Sequence, residues 1–100
     1  THLEEILKLL DQLTELMKNH DLPKANPTVL SKVQTLCNHM KGEDHYITEK
    51  ANSIERLAEK FFSAKKHESY QGGADALHAA ITHDLPNRIR AQVEHLRRLP

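Results

Sequence analysis

The sequence predicts an all-α fold, a five-helix antiparallel bundle, and two observations support this. Apolar residues recur every three or four positions along the chain, and Pro and Gly interrupt that pattern at only a few places. A 3.6-residue period places such positions on one face of a helix, and that face needs a partner to be buried. The first three apolar stripes are Leu3, Ile6, Leu7, Leu10, Leu13 and Met17, then Val29, Leu30, Val33, Leu36, Cys37 and Met40, then Ala51, Ile54, Leu57, Ala58 and Phe61.

Capping residues indicate where the first two helices begin. Thr1 and Glu4 have the spacing of a capping box, so we expect the first helix to start there and to run to about His20. Asn26 followed by Pro27 combines an N-cap residue with a proline that is tolerated at the first helical position. We therefore expect the second helix to begin at this pair.

The second helix is predicted to end near Met40, because Gly42 suits the left-handed position that follows many helices. Thr48 is predicted to cap the third helix, which we expect to continue to about Lys66. Residues 69–73 are predicted to form a loop, since consecutive glycines are too flexible to hold a helix.

Two shorter helices are expected after this loop. The fourth is predicted to cover about residues 74–83, and the segment Asp84-Leu85-Pro86 is expected to end it. The fifth is then predicted to start at Pro86, with its apolar positions facing the other helices. Those positions are Ile89, Val93 and Leu96.

Length and cysteine content limit the class of protein. One hundred residues are enough for one ordinary domain, and we expect residues 1–100 to form a single helical bundle. Because the chain begins at Thr1 without Met, we also expect it to be excised from a longer protein. Cys37 is the one cysteine and lies on an apolar stripe, which predicts a buried thiol in a reducing compartment. No apolar run approaches the roughly 20 residues of a membrane span.

Eight histidines raise the question of a metal site. Two ligands share a helix face at a spacing of three or four, but His78 and His83 are five apart and no HExxH or ExxH pair is present. We interpret His78 as a partly buried structural histidine that hydrogen-bonds a neighbouring loop. Gly72-Gly73 lacks the Lys-Ser/Thr of a phosphate loop, and no serine has a nucleophile-elbow context. We expect the chain not to be an enzyme and to bind neither a metal nor a cofactor; a metal site assembled from histidines of separate helices stays an alternative.

Two groups of residues are candidate partner-binding positions. Phe61 and Phe62 are adjacent and cannot both point inwards along a narrow stripe, so Phe62 is predicted to lie at an edge or in a partner-binding groove. Arginines can bind phosphate, but the net charge is zero and aromatic residues for base stacking are absent near them. Nucleic-acid binding therefore stays an alternative to protein binding. The arginines concerned are Arg88, Arg90, Arg97 and Arg98.

An ordered series of small motifs suggests a family. A helix ending at residues 36–40 is followed by Gly42, then by Tyr70, Ala74 and His78, and the chain closes with Leu96-Arg97-Arg98-Leu99. This series resembles the helical domain shared by the steroid receptor RNA activator protein and the C-terminus of the large COPII outer-coat subunit. In that family a Gly-containing gap separates two helices, and a loop aromatic precedes a helix with an early Ala and often a His four residues later. The last helix ends in an apolar-Lys-Arg-Leu run.

The resemblance covers about residues 5–99 in helix order and length, with Arg97 in place of the Lys. It implies structural roles for Gly42, Tyr70, Ala74 and His78. Two departures are that the aromatic residue common in the family's last helix falls near Gln92, and that the loop carries an extra Gly. The family implies a non-enzymatic adaptor, either a coat domain in vesicle assembly and ER-to-Golgi transport or the protein-binding end of a transcriptional co-regulator.

A second resemblance covers residues 7–66, which look like the N-terminal domain of transcription elongation factor TFIIS and its relatives. That domain is a helical bundle that docks short disordered motifs, and segments 10–16 and 54–62 fit its pattern. It explains residues 70–99 less well. Together these likenesses imply a protein partner, such as a short linear motif or a coat or transcription component. They imply a location in the cytoplasm, including membranes reached through a coat, or in the nucleus.

Overall fold

The computed structural model describes residues 2–63 and 72–99, and within those ranges the chain forms four helices and no strand. The first three are α1 (His2–Lys18), α2 (Pro27–Met40) and α3 (His45–Phe61). The fourth, α4, covers residues 73–98. The all-α prediction is therefore confirmed, and the prediction of five helices is wrong.

Helix α4 is continuous through the segment that was expected to break it. It consists of an α-helical part, Gly73–Ala79, a π-helical turn, Ala80–Asp84, and a second α-helical part, Leu85–Arg98. In the π-turn the Leu85 N–H donates to the carbonyl oxygen of Ala80, five residues earlier. Pro86 falls in the first turn of the second part, where a missing N–H is tolerated. The proline therefore continues the helix, and the fourth and fifth predicted helices are one.

The predicted ends of α2 are confirmed. The Asn26 side chain accepts a hydrogen bond from the Val29 N–H at 3.2 Å, with Pro27 as the first helical residue. After Met40 the chain turns at Gly42, whose φ of +108° is left-handed and favours glycine. The Thr1 cap of α1 lies outside the described residues.

The predicted cap of α3 is wrong. Asp44 caps this helix, since its side chain accepts from the Ile47 N–H at 3.0 Å. The Thr48 hydroxyl instead accepts from the Gly42 N–H at 2.9 Å, which satisfies the turn between α2 and α3. The helix ends at Phe61 rather than near Lys66, and residues 64–71 lie outside the described part of the chain.

The four helices pack so that α2 and α4 each contact both α1 and α3. Neighbouring helices run in opposite directions. At the start of α2, the Asn26 N–H donates to the Phe62 carbonyl oxygen beyond the end of α3. The fully buried larger side chains between the helices are Ile6, Leu10, Leu13, Met17, Val33, Met40, Ile47, Ile54, Phe61, Leu77, Ile81 and Ile89. Among the described residues, none of the helices has the length and apolar character needed to cross a membrane.

Candidate protein-docking groove

The structure separates the four candidate arginines around α4. Arg90 faces α1, where its Nη2 lies 3.3 Å from Asp11 Oδ1. Arg97 pairs with Glu94 of its own helix at 3.2 Å, and Arg98 is exposed in the last turn. Arg88 faces α3. Because these side chains point in different directions, they do not form one continuous basic surface.

The prediction of a surface position for Phe62 is wrong. Phe62 is only 3% exposed, and its ring meets Phe61 edge to face, with centroids 5.0 Å apart and planes at 89°. Helix α3 packs against both α2 and α4, so it buries a wide stripe and both rings go inside. Phe62 therefore packs with the core, and its small accessible part lines a pocket beside residues 19–26.

A groove runs between α3 and α4 on the side that includes Arg88. Its volume is about 520 Å³, and it is open to solvent. The lining residues are Lys50, Ser53, Arg56 and Leu57 from α3, with Ala80, Asp84, Leu85 and Arg88 from α4. The π-turn of α4 supplies Ala80 and Asp84, so the irregular part of this helix forms one wall.

Among the described residues, the cations of this groove form no ion pair with an acidic side chain. Arg56 Nη2 donates to Ser53 Oγ at 3.0 Å, and Lys50 Nζ lies 5.0 Å from the centre of the Tyr46 ring. Within residues 2–63 and 72–99, no ion pair involves Lys50, Arg56 or Arg88. Asp84 is the one carboxylate in the lining. The groove therefore presents excess positive charge above half-buried Leu57 and Leu85.

The hydroxyl of Ser53 is engaged inside the groove wall. It donates to the Glu49 carbonyl oxygen at 3.1 Å and accepts from Arg56. Its proton is thus held by the helix backbone and is not directed to a general base. No group of three or more His, Cys, Asp and Glu side chains in the described residues is placed to hold a metal ion.

His78 joins α4 to the end of α1. Its Nε2 lies 2.9 Å from the Met17 carbonyl oxygen, which requires the proton on Nε2, and Nδ1 then accepts from Thr82 Oγ1 at 3.4 Å. The ring also packs 5.3 Å from the Phe61 ring. The partner is thus a helix end rather than the loop that the sequence suggested. The Met17 carbonyl oxygen also accepts from the His20 N–H at 3.2 Å, so His78 gives it a second donor.

Replacing His78 with alanine is expected to lower the free energy of unfolding by about 1–3 kcal/mol, because the ring's hydrogen bonds with the Met17 carbonyl and the Thr82 hydroxyl and its packing on Phe61 are lost. His83→Ala is the matched control, since that side chain is exposed on the same helix and its loss is expected to change stability by less than about 0.5 kcal/mol. Urea denaturation followed by circular dichroism measures both. Equal urea midpoints for the two variants would contradict the structural role of His78.

Cys37 is fully buried in α2. The pKa of its thiol is raised from 9.0 to about 12, mainly because burial disfavours the thiolate; Glu55 adds to the increase and Lys41 opposes it. The thiol is therefore protonated at neutral pH and poorly nucleophilic. Because the folded state has the higher pKa, the stability that this thiol contributes is present below pH 9 and falls as the pH rises towards 12.

We expect an aromatic disulfide reagent, which exchanges with the thiolate and releases a coloured thiolate, to label Cys37 slowly in the folded chain at pH 8 and rapidly in 8 M urea. Absorbance at the released chromophore gives both rates. Equal rates in the two states would contradict the buried position.

The residues that the family resemblance singles out lie away from the groove, in structural positions where they are described. Gly42 forms the turn after α2, and Ala74 packs against the core near the start of α4. Tyr70 lies outside the described residues. Sequence reasoning missed Lys50, Ser53 and Arg56, although their spacing of three places them along one side of α3.

Comparison of the chain with protein-family models, curated proteins and solved structures finds no significant match in any of the three. The function proposed below is therefore supported by the geometry of the groove and by the sequence resemblance described above.

Proposed function

We propose that this chain is a non-catalytic protein–protein interaction domain of the adaptor or scaffold type, which docks its partner in the α3–α4 groove. The observation that supports this most is the position of Lys50, Arg56 and Arg88 around an apolar floor, with no ion pair to any of them among the described residues. Unneutralised charge at the rim of an apolar cleft favours specific and rapid association with a complementary protein surface.

The resemblance to the COPII outer-coat domain suggests the setting for this interaction. We propose vesicle coat assembly in ER-to-Golgi transport, on the cytoplasmic side of the membrane, as the process. The transcriptional co-regulator of the same family is the second candidate, since its domain resembles the same residues. The dispersed arginines of α4 speak against nucleic acid as the partner, because only Arg88 faces the groove.

An affinity capture experiment tests the proposal. The chain is used as bait in cytosolic and nuclear extracts, beside Arg56→Glu/Arg88→Glu as the groove variant and Arg97→Glu/Arg98→Glu as a control with the same charge change elsewhere. We expect a defined set of proteins to be recovered by the parent and the control and lost with the groove variant. Identical recovery by all three would exclude the groove as the docking site, and coat or transcription proteins in the lost set would identify the process.

A further inference from the structure

We infer that the occupant of the α3–α4 groove is an acidic peptide segment that also carries an apolar side chain. This inference rests on the proposed function and names the chemistry of its partner. Three features of the groove support it: the spacing of its cations, the apolar floor between them, and the single carboxylate in its wall.

The cations are spaced for several carboxylates on one segment. Lys50 and Arg56 are six residues apart on α3, which is roughly 9 Å along the helix at 1.5 Å per residue. Arg88 faces them from α4, so the positive charge lies on both walls. An extended peptide rises about 3.3 Å per residue and presents every second side chain to one face, so acidic side chains two positions apart lie roughly 7 Å from each other, within reach of the long Lys50 and Arg56 side chains. Arginine can also bind a carboxylate through two parallel hydrogen bonds.

The floor of the groove favours a peptide over a simple anion. Leu57 and Leu85 are half-buried, and Ala80 is 7% exposed, so apolar surface lies between the charged walls. An aliphatic side chain placed between two acidic residues would cover this surface and be removed from water. Alternation of acidic and apolar residues is therefore the pattern that fits.

Nucleic acid fits less well than an acidic peptide. None of the described residues that line the groove is aromatic, so they offer bases no stacking surface. Asp84 lies in the wall, and a backbone with a phosphate at every nucleotide would place a negative charge close to it. A peptide can instead present a polar or basic residue at that point.

A phage-displayed library of random 12-residue peptides tests the inference without assuming a sequence. The parent chain is the target, and Arg56→Glu/Arg88→Glu is used for counter-selection. We expect enrichment of peptides rich in Asp and Glu with Leu or Ile between them. The enriched peptide is then synthesised, and its affinity is measured by fluorescence anisotropy against the parent, the groove variant and Arg97→Glu/Arg98→Glu. Circular dichroism confirms that all three chains are folded.

We expect the groove variant to bind the peptide roughly tenfold more weakly than the parent, and the control to bind it like the parent. We also expect the affinity of the parent to decrease as the salt concentration is raised from 50 to 300 mM. Replacing Glu by Gln in the peptide should have a similar effect to the groove variant. Enrichment of neutral or basic peptides, no enrichment, equal binding by all three chains, or tighter binding of a 20-nucleotide poly-U RNA would each overturn the inference. If extracts still yield partners through the groove, only the acidic chemistry fails; if they do not, the proposed function fails as well.

Discussion

Replacing Phe61 with alanine is expected to lower the free energy of unfolding by about 3–5 kcal/mol. Phe61 is the largest fully buried side chain, and it lies at the end of α3. Its ring contacts Phe62 at 5.0 Å and the His78 ring at 5.3 Å, so it links α3 to the first part of α4. Truncation would leave a cavity at this junction, since the two remaining rings, Phe62 and His78, cannot close over the missing volume without moving a helix.

Tyr46→Ala is the matched control for Phe61→Ala. Tyr46 is an aromatic residue of the same helix, but it is 37% exposed. Its ring centre lies 5.0 Å from Lys50 Nζ. Its loss is expected to cost no more than about 1 kcal/mol. Urea denaturation followed by circular dichroism gives both values. Equal losses would contradict the role of Phe61 as the main link between α3 and α4. A domain stability of about 5–15 kcal/mol would leave Phe61→Ala marginal.

The sequence predicted elements whose determinants are local. Asn26, Pro27 and Gly42 act within a few residues of the helix ends they define, so α2 was placed correctly. The start of α3 was missed because both Asp44 and Thr48 are good caps. The Asp44 cap is also hydrogen-bonded from another helix, since Gln92 Nε2 of α4 lies 3.3 Å from Asp44 Oδ2. Such support from a residue 48 positions away is not visible in local sequence.

The break expected in α4 failed for a related reason. Proline usually ends a helix because its ring clashes with the carbonyl four residues earlier. In this chain a π-turn precedes Pro86 and shifts the bonding to residues five apart. Ile81 and Thr82 of that turn are buried against α1 and α3, so packing stabilises a backbone form that local preference disfavours. The preference of proline for the first turn of a helix was therefore applied correctly, but the π-turn that joins this helix to the preceding one was not foreseen.

The groove could not be assembled from the sequence. Lys50 and Arg56 have the appearance of an ordinary solvated face of α3, and Arg88 belonged to a group of four arginines that the structure disperses. Only the packing of α4 on α3 brings Arg88 opposite Lys50 and Arg56. For the adjacent pair Phe61 and Phe62, the sequence predicted a surface position that the structure does not have. A helix packed between two neighbours buries a wide stripe, so the second ring is buried as well.

Ile54→Ala is expected to lower the free energy of unfolding by about 2–5 kcal/mol, whereas Leu36→Ala is expected to cost less than half as much. The sequence assigns both residues to the core. The structure buries Ile54 completely in the middle of α3, but leaves Leu36 half-buried at the rim of an open groove between α1 and α2. A truncation at this rim leaves a space that water can enter, so it creates no closed cavity. Its cost is therefore limited to the lost apolar contact.

Ile54→Val separates the contribution of the cavity from that of helix propensity, because it removes one methylene group and is expected to cost about 0.5–1.5 kcal/mol. All three variants are compared by urea denaturation with a common slope. A loss for Leu36→Ala as large as that for Ile54→Ala would mean that the α1–α2 groove is closed in solution, so that Leu36 is buried. If instead the Ile54 series shows no graded loss, the centre of the bundle is not close-packed around α3. The Ile54 variants therefore test the core where the helices meet, and Leu36→Ala tests it at its open edge.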